Sequence, residues 1–209
     1  MTPWHLFKFK SLRKHTICCS LTFFLITYLY YGPFIIIDGL GINPFLAQII
    51  ISLSELLAYP FAFCFIHKLP RVKSGIISLS ISAILTGILI FVTPSTQCEG
   101  CWERIIQTVL IFASRFIVSF YMSILFLFMS EVFPLRARGM GYGIASAAGA
   151  IASSSGQFIF EKMEEKGINP MILFTIISIF AAIVLSFEDD SLNKPLENEI
   201  EEIKALKES

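Results

Sequence analysis

The sequence predicts an all-α membrane protein with six transmembrane helices, and three observations predict it. The first is composition. Of 209 residues, 55% are hydrophobic and 15% charged, with a mean hydropathy of +0.73. A soluble domain holds roughly 45–50% apolar and about 25% charged residues, so one small water-soluble core could not hide this excess. The second is arrangement: the apolar residues, 21 Phe among them, gather into long runs bounded by charged or turn residues. The third is the placement of Lys and Arg, which cluster in alternate connections between those runs. The formal net charge of +0 and pI near 6.8 give no basic bias that would suggest a nucleic-acid partner.

The runs fall at about 17–37, 44–66, 74–93, 105–129, 140–160 and 170–187. Each is near the roughly 20 residues a helix needs to cross a bilayer. Each must be helical, because hydrocarbon offers backbone groups no other partner. The first run follows a basic segment, MTPWHLFKFKSLRK, that resembles the start of a signal peptide. Its length and the lack of a closing small-residue cleavage pattern mark it as a retained helix. Residues 1–16 then form an N-terminal segment, 17–187 the bundle, and 188–209 a charged tail. In that tail Ile200, Ile203 and Leu206 recur at helical spacing, which fits either a short amphipathic helix or a solvated end.

Orientation follows from the basic residues. Lys8, Lys10, Arg13, Lys14, Lys68, Arg71, Lys73, Arg136, Arg138, Lys194, Lys204 and Lys207 fall on one side, against Arg104, Lys162 and Lys166 on the other. Cytoplasmic loops are the basic ones, so both termini are expected in the cytoplasm.

A charge at mid-membrane costs at least about 2.5 kcal/mol on insertion scales. Glu55, midway along the second run, and Arg115, in the fourth, are nevertheless there. Either they face an aqueous cavity and meet a solute, or they form a buried pair that locks two helices. Intramembrane ionisable groups are functional by default, so the cavity reading leads. Gln157 in the fifth run carries an amide that needs a partner, and Tyr28 in the first could line the same path. Tyr31 fits an interfacial anchor better. Gly32-Pro33 marks a hinge, because Pro lacks a donor. The fifth run, GYGIASAAGAIASSSGQ, has Ala145/Gly149 and Gly149/Ser153 as small pairs four apart, a pattern for close helix packing.

Cys98 and Cys101 form a C-x-x-C pair in an outer loop, read as a small disulfide or two free thiols, since no further metal ligands lie near. Cys18, Cys19 and Cys64 read as packing. No P-loop, G-x-S-x-G, H-E-x-x-H or dinucleotide fingerprint occurs, and His5, His15 and His67 all fall at helix boundaries. The expectation is a protein that is not an enzyme and holds no cofactor or metal.

Four patterns in order carry a family resemblance. They are Tyr30-Tyr31-Gly32 followed by Glu55; the basic turn from His67 to Arg71; Glu131-Val132-Phe133-Pro134-Leu135-Arg136-Ala137-Arg138 running into Gly141-Tyr142-Gly143; and Asp190-Ser191-Leu192-Asn193-Lys194-Pro195-Leu196. With them the chain resembles the C-terminal six-helix half of major facilitator superfamily transporters. It looks most similar to the organic cation, carnitine and organic anion transporters. Sugar porters and synaptic-vesicle-2-like proteins are its more distant relatives. The third pattern resembles Glu-[Leu/Val]-[Tyr/Phe]-Pro-Thr-x-x-Arg, while in the second His67 and Pro70 stand where the family carries Asp and Gly.

The resemblance implies half of the superfamily fold and alternating-access transport of a small organic solute, an organic ion among the options. Tyr28, Glu55, Arg115 and Gln157 are the expected solute contacts, and Glu131, Pro134 and Arg138 the inner gate, with Arg138 placed to pair with Glu131 or a neighbouring helix end. Expected partners are the solute, membrane lipid, and an N-terminal half or second six-helix chain. The chain opens just before a seventh-helix-like span, which favours a fragment of a twelve-helix carrier. The expected site is the plasma membrane, or a vesicle membrane. The rival reading is a non-transporting vesicle protein or regulatory half-subunit. Where related cation transporters carry Asp and anion transporters Arg, this chain has the neutral Ala150.

Overall fold

The computed structural model describes residues 10–36, 44–65, 69–92, 102–133 and 135–188. Every element in them is a helix: α1 (Lys10–Ile36), α2 (Pro44–Phe65), α3 (Arg71–Phe91), α4 (Trp102–Val132), α5 (Leu135–Glu165) and α6 (Pro170–Ser186). Each matches one apolar run. Several extend past it: α1 begins at Lys10 rather than residue 17, and α5 spans Leu135–Glu165 rather than 140–160. Hydropathy marks the part of a helix that suits hydrocarbon, while the backbone ladder continues through charged turns whose long side chains reach water.

Phe45–Phe65, Arg71–Phe91 and Ile105–Val132 are each long and apolar enough to cross a membrane, and α6 is apolar but shorter at 17 residues. The outer surface suits lipid, with Phe45, Ile49, Leu56, Phe63, Ile84 and Ile176 among many exposed apolar side chains. The protein is a multi-pass, all-α membrane protein.

The helices alternate in direction and pack as three pairs. α1 lies along α5, α2 along α4, and α3 along α6, while α4 also packs on α3, and α1 on α6 and α4. Small residues set the closest approaches. Ala47, Ile51, Ser54, Ala58 and Ala62 form the buried stripe of α2. On α5 the face expected to pack does so: Ala145 and Ala152 are fully buried, and Gly149 sits against Phe23 and Thr27 of α1. A methyl group at Gly149 would overlap the Phe23 ring. The α3–α6 seam carries a hydroxyl bridge, Thr175 Oγ1 to Thr86 Oγ1 at 3.1 Å. Asn169 caps α6 by accepting from the Met171 amide at 3.0 Å, with Pro170 opening the helix.

α1 and α6 are tied at one end by His15 Nδ1 and Glu188 Oε2, 2.7 Å apart. Because the helices alternate, that end also holds Arg71 and Glu131. The expected tail features beyond Glu188, Cys98 and Cys101, His67 and Pro134 lie outside the described residues.

Candidate functional site

Three helices converge on the mid-membrane charges. α2 carries Glu55 and, one turn on, Tyr59; α4 carries Arg115; α1 carries Tyr30. The Arg115 guanidinium forms an ion pair with the Glu55 carboxylate. Its Cζ lies 3.7 Å from the centroid of the Tyr30 ring, a cation–π contact. The Tyr30 hydroxyl faces that of Tyr59 at 3.4 Å, so α1 and α2 meet across the top of Arg115.

Exposure differs sharply within the pair: the Arg115 side chain is 0% exposed and that of Glu55 21%. The arginine is therefore a buried anchor, and the carboxylate is the part of the pair that reaches the surface. Phe61, Phe116 and Phe120 continue the aromatic lining between α2 and α4.

The other described basic side chains, Arg13, Lys14, Arg71, Lys73, Arg138, Lys162 and Lys166, lie within about two turns of a helix end or just beyond it. Among the described residues, Glu55 and Arg115 are thus the only charges deep in a span.

One other expected contact sits elsewhere. Tyr28 is buried between α1 and α5, its hydroxyl 2.6 Å from Ser155 Oγ, so it braces that helix pair. Gln157 lies on α5, and its side chain is outside the described residues. Tyr30 and Tyr59 take the places at Glu55 that the sequence reading gave to other residues. The signal for Tyr59 was its i+4 spacing from Glu55, which puts both on one face of α2.

At the helix ends, Glu131 is held by Arg71. Nη2 and Nε of the arginine donate to the two carboxylate oxygens at 3.1 and 3.3 Å, and Nη1 donates to the Leu69 carbonyl at 3.1 Å. The expected gate pairing named Arg138; the fork found on Glu131 is that of Arg71. The first turn of α3 abuts the last turn of α4, whereas Arg138 stands a turn into α5, which touches α4 little. Arg138 is half-buried, and its Nε has no hydrogen-bond partner among the described residues.

A pocket of about 20 Å³ is lined by Leu29, Ser82, Thr86, Ser114, Met171 and Phe174, and by none of Tyr30, Glu55, Tyr59 or Arg115. It has room for about one water molecule, whereas organic ligands occupy sites of roughly 300–1,000 Å³.

Residues 3–188 match the family model described as "Sugar (and other) transporter". The chain belongs to that family, within the major facilitator superfamily. It is 25% identical over 195 residues to "Solute carrier family 22 member 6" of Mus musculus, covering 93% of this chain and 34% of that protein. It is 28% identical over 200 residues to "Organic anion transporter 3" of Rattus norvegicus, covering 95% of this chain and 36% of that protein. The chain therefore spans about a third of the length of the curated relatives it matches. These relatives bear the names of carriers rather than enzymes.

Proposed function

We propose that this chain is the C-terminal six-helix half of a carrier that moves a small organic solute by alternating access. One observation carries the reading: the only deep charges among the described residues meet in a single aromatic-lined cluster, and one of them is partly exposed. Superfamily carriers bind solutes near the bilayer midplane between two halves and then rock one half against the other. Here Glu55, Tyr30 and Tyr59 form the solute-facing wall, with Arg115 holding Glu55 in place. Gln157 is a further contact from α5.

The Arg71–Glu131 fork forms the inner gate, with Pro134 and Arg138 as its further expected members. At the helix end Glu131, 32% exposed, can turn to water when the pair opens, so the fork separates at less cost than a pair in mid-membrane. The complementary wall comes from a second six-helix half, in the same polypeptide or in a partner chain. The basic turns put both termini in the cytoplasm, with residues 1–16 and 188–209 flanking the bundle, and the membrane is the plasma membrane.

The test is uptake by cells expressing the complete gene product, using a panel of organic cations, organic anions and uncharged solutes. A carrier gives saturable uptake of at least one, and Arg115→Lys, which cannot reproduce the fork on Glu55, lowers it at unchanged surface level. Linear, non-saturable entry of every solute would remove the carrier reading and leave the non-transporting one.

A further inference from the structure

We infer that the pocket between α3 and α4 is a binding site for a single water molecule, which joins the two helices through Ser82, Thr86 and Ser114. The inference is independent of the carrier reading, since it concerns how the bundle is held together within the membrane.

The buried face of α3 carries a hydroxyl at every fourth residue: Ser74, Ser78, Ser82 and Thr86. In a helix such a hydroxyl can bond a carbonyl of the preceding turn. Ser74 and Thr86 do so, donating to the Arg71 and Ser82 carbonyls, each at 2.9 Å. Ser82 does not. It is 1% exposed, and its Oγ has no hydrogen-bond partner among the described residues. A hydroxyl stranded away from water is costly, and this one lines the pocket.

The pocket supplies what Ser82 lacks. It has room for about one water molecule. Its hydroxyls stand on two helices, Ser82 and Thr86 on α3 and Ser114 on α4. Thr86 Oγ1 donates to its own helix and accepts from Thr175, which leaves it one lone pair for a further donor. Three partners are about the usual number for a buried water. Leu29 of α1 and Met171 and Phe174 of α6 form an apolar part of the wall, so the polar contacts all fall on the α3–α4 side. A metal cation fits worse. No carboxylate lines the pocket to balance its charge, and calcium and magnesium take about six or more oxygens.

Thermal unfolding of the complete gene product in detergent tests this, because a wet and a dry pocket give opposite signs. With the water in place, Ser82→Ala removes one of its partners and lowers the Tm by about 2–4 °C. In a dry pocket the same change removes a stranded hydroxyl and leaves the Tm unchanged or raises it, which overturns the inference. Ser114→Ala acts on the same water from the other helix, so the double variant should lose less than the sum of the two single losses. Additive losses overturn the shared joint. Replacing sodium by choline in the buffer should leave the Tm where it is. A fall that Ser82→Ala abolishes assigns the site to sodium and overturns the water. If the variants do not fold, cryo-electron microscopy of the unaltered protein decides: one density peak about 3 Å from all three hydroxyls is expected, and an empty pocket overturns the site.

Discussion

Two arginine–glutamate pairs cross this molecule, and they live in different surroundings. Arg115–Glu55 joins α4 to α2 in mid-bundle, with the arginine fully buried and an aromatic ring over it. Arg71–Glu131 joins α3 to α4 at the helix ends, where Glu131 is 32% exposed and the arginine also holds the Leu69 carbonyl. In mid-membrane the fully buried Arg115 has no water to fall back on, and Glu55 has little, so losing one leaves the other poorly partnered. At the helix ends Glu131 can turn to water when the pair opens, although Arg71 is itself only 4% exposed. The same two side chains therefore make a fixed anchor in one place and a breakable latch in the other.

The largest effect is expected from Arg115→Leu. Removing one partner of a buried pair typically costs about 3–5 kcal/mol. Partial exposure of Glu55 should put the loss near the lower end, at about 3 kcal/mol. Thermal unfolding of the purified chain in detergent measures it. Adding Glu55→Leu should recover most of the stability without restoring uptake. If the single change is tolerated as well as the double, the anchor role of Arg115 is wrong.

A purely steric contrast comes next. Gly149→Leu, on the uncharged α1–α5 seam, pushes a side chain into Phe23 and Thr27. Overpacking costs about 1–3 kcal/mol, so about 2 kcal/mol is expected in the same unfolding measurement. Gly143→Leu, at a position with open space around it, should lose less. Equal losses would mean that helix propensity, not packing, governs α5.

Glu131→Gln addresses the latch. The glutamine oxygen can still accept from Arg71, and Glu131 is 32% exposed, so most of the contact survives the change. Stability should fall by less than about 1 kcal/mol, while the rate of solute turnover changes by severalfold because the inner end separates more readily. A stability loss as large as that of Arg115→Leu would erase the distinction between the two pairs.

Much of this was legible in the sequence because membrane physics is severe. Six apolar runs had to be helices, and two stray charges had to matter; both follow from the lack of water. The small-residue face of α5 was legible for the same reason, since close approach leaves a compositional trace. What the sequence could not show was pairing across helices. Arg71 sits in a basic turn that reads as an orientation signal, and only the fold brings it to Glu131. Tyr28 and Tyr30 are two residues apart and look alike in sequence. A 200° rotation around the helix sends one to Ser155 and the other to Arg115. Rotational phase depends on which neighbours a helix packs against, and a run of apolar residues with no polar face does not encode it.

The smallest effect calibrates the comparison from below. Thr175 Oγ1 lies 3.1 Å from Thr86 Oγ1 and also donates toward the Met171 carbonyl at 3.0 Å. Thr175→Val keeps the shape and deletes the hydroxyl. Thr86 keeps its own bonds to the Ser82 and Ala83 carbonyls at 2.9 and 3.2 Å, so no buried group is stranded. Interhelical hydrogen bonds between neutral groups in membranes average about 0.6 kcal/mol, and that is the loss expected in detergent unfolding. Uptake should be unchanged, because α3 and α6 lie away from the Glu55 cluster. A loss of uptake would mean that the α3–α6 seam moves during transport. The two arginine pairs would then no longer be the only joints that distinguish a rigid half from a working one.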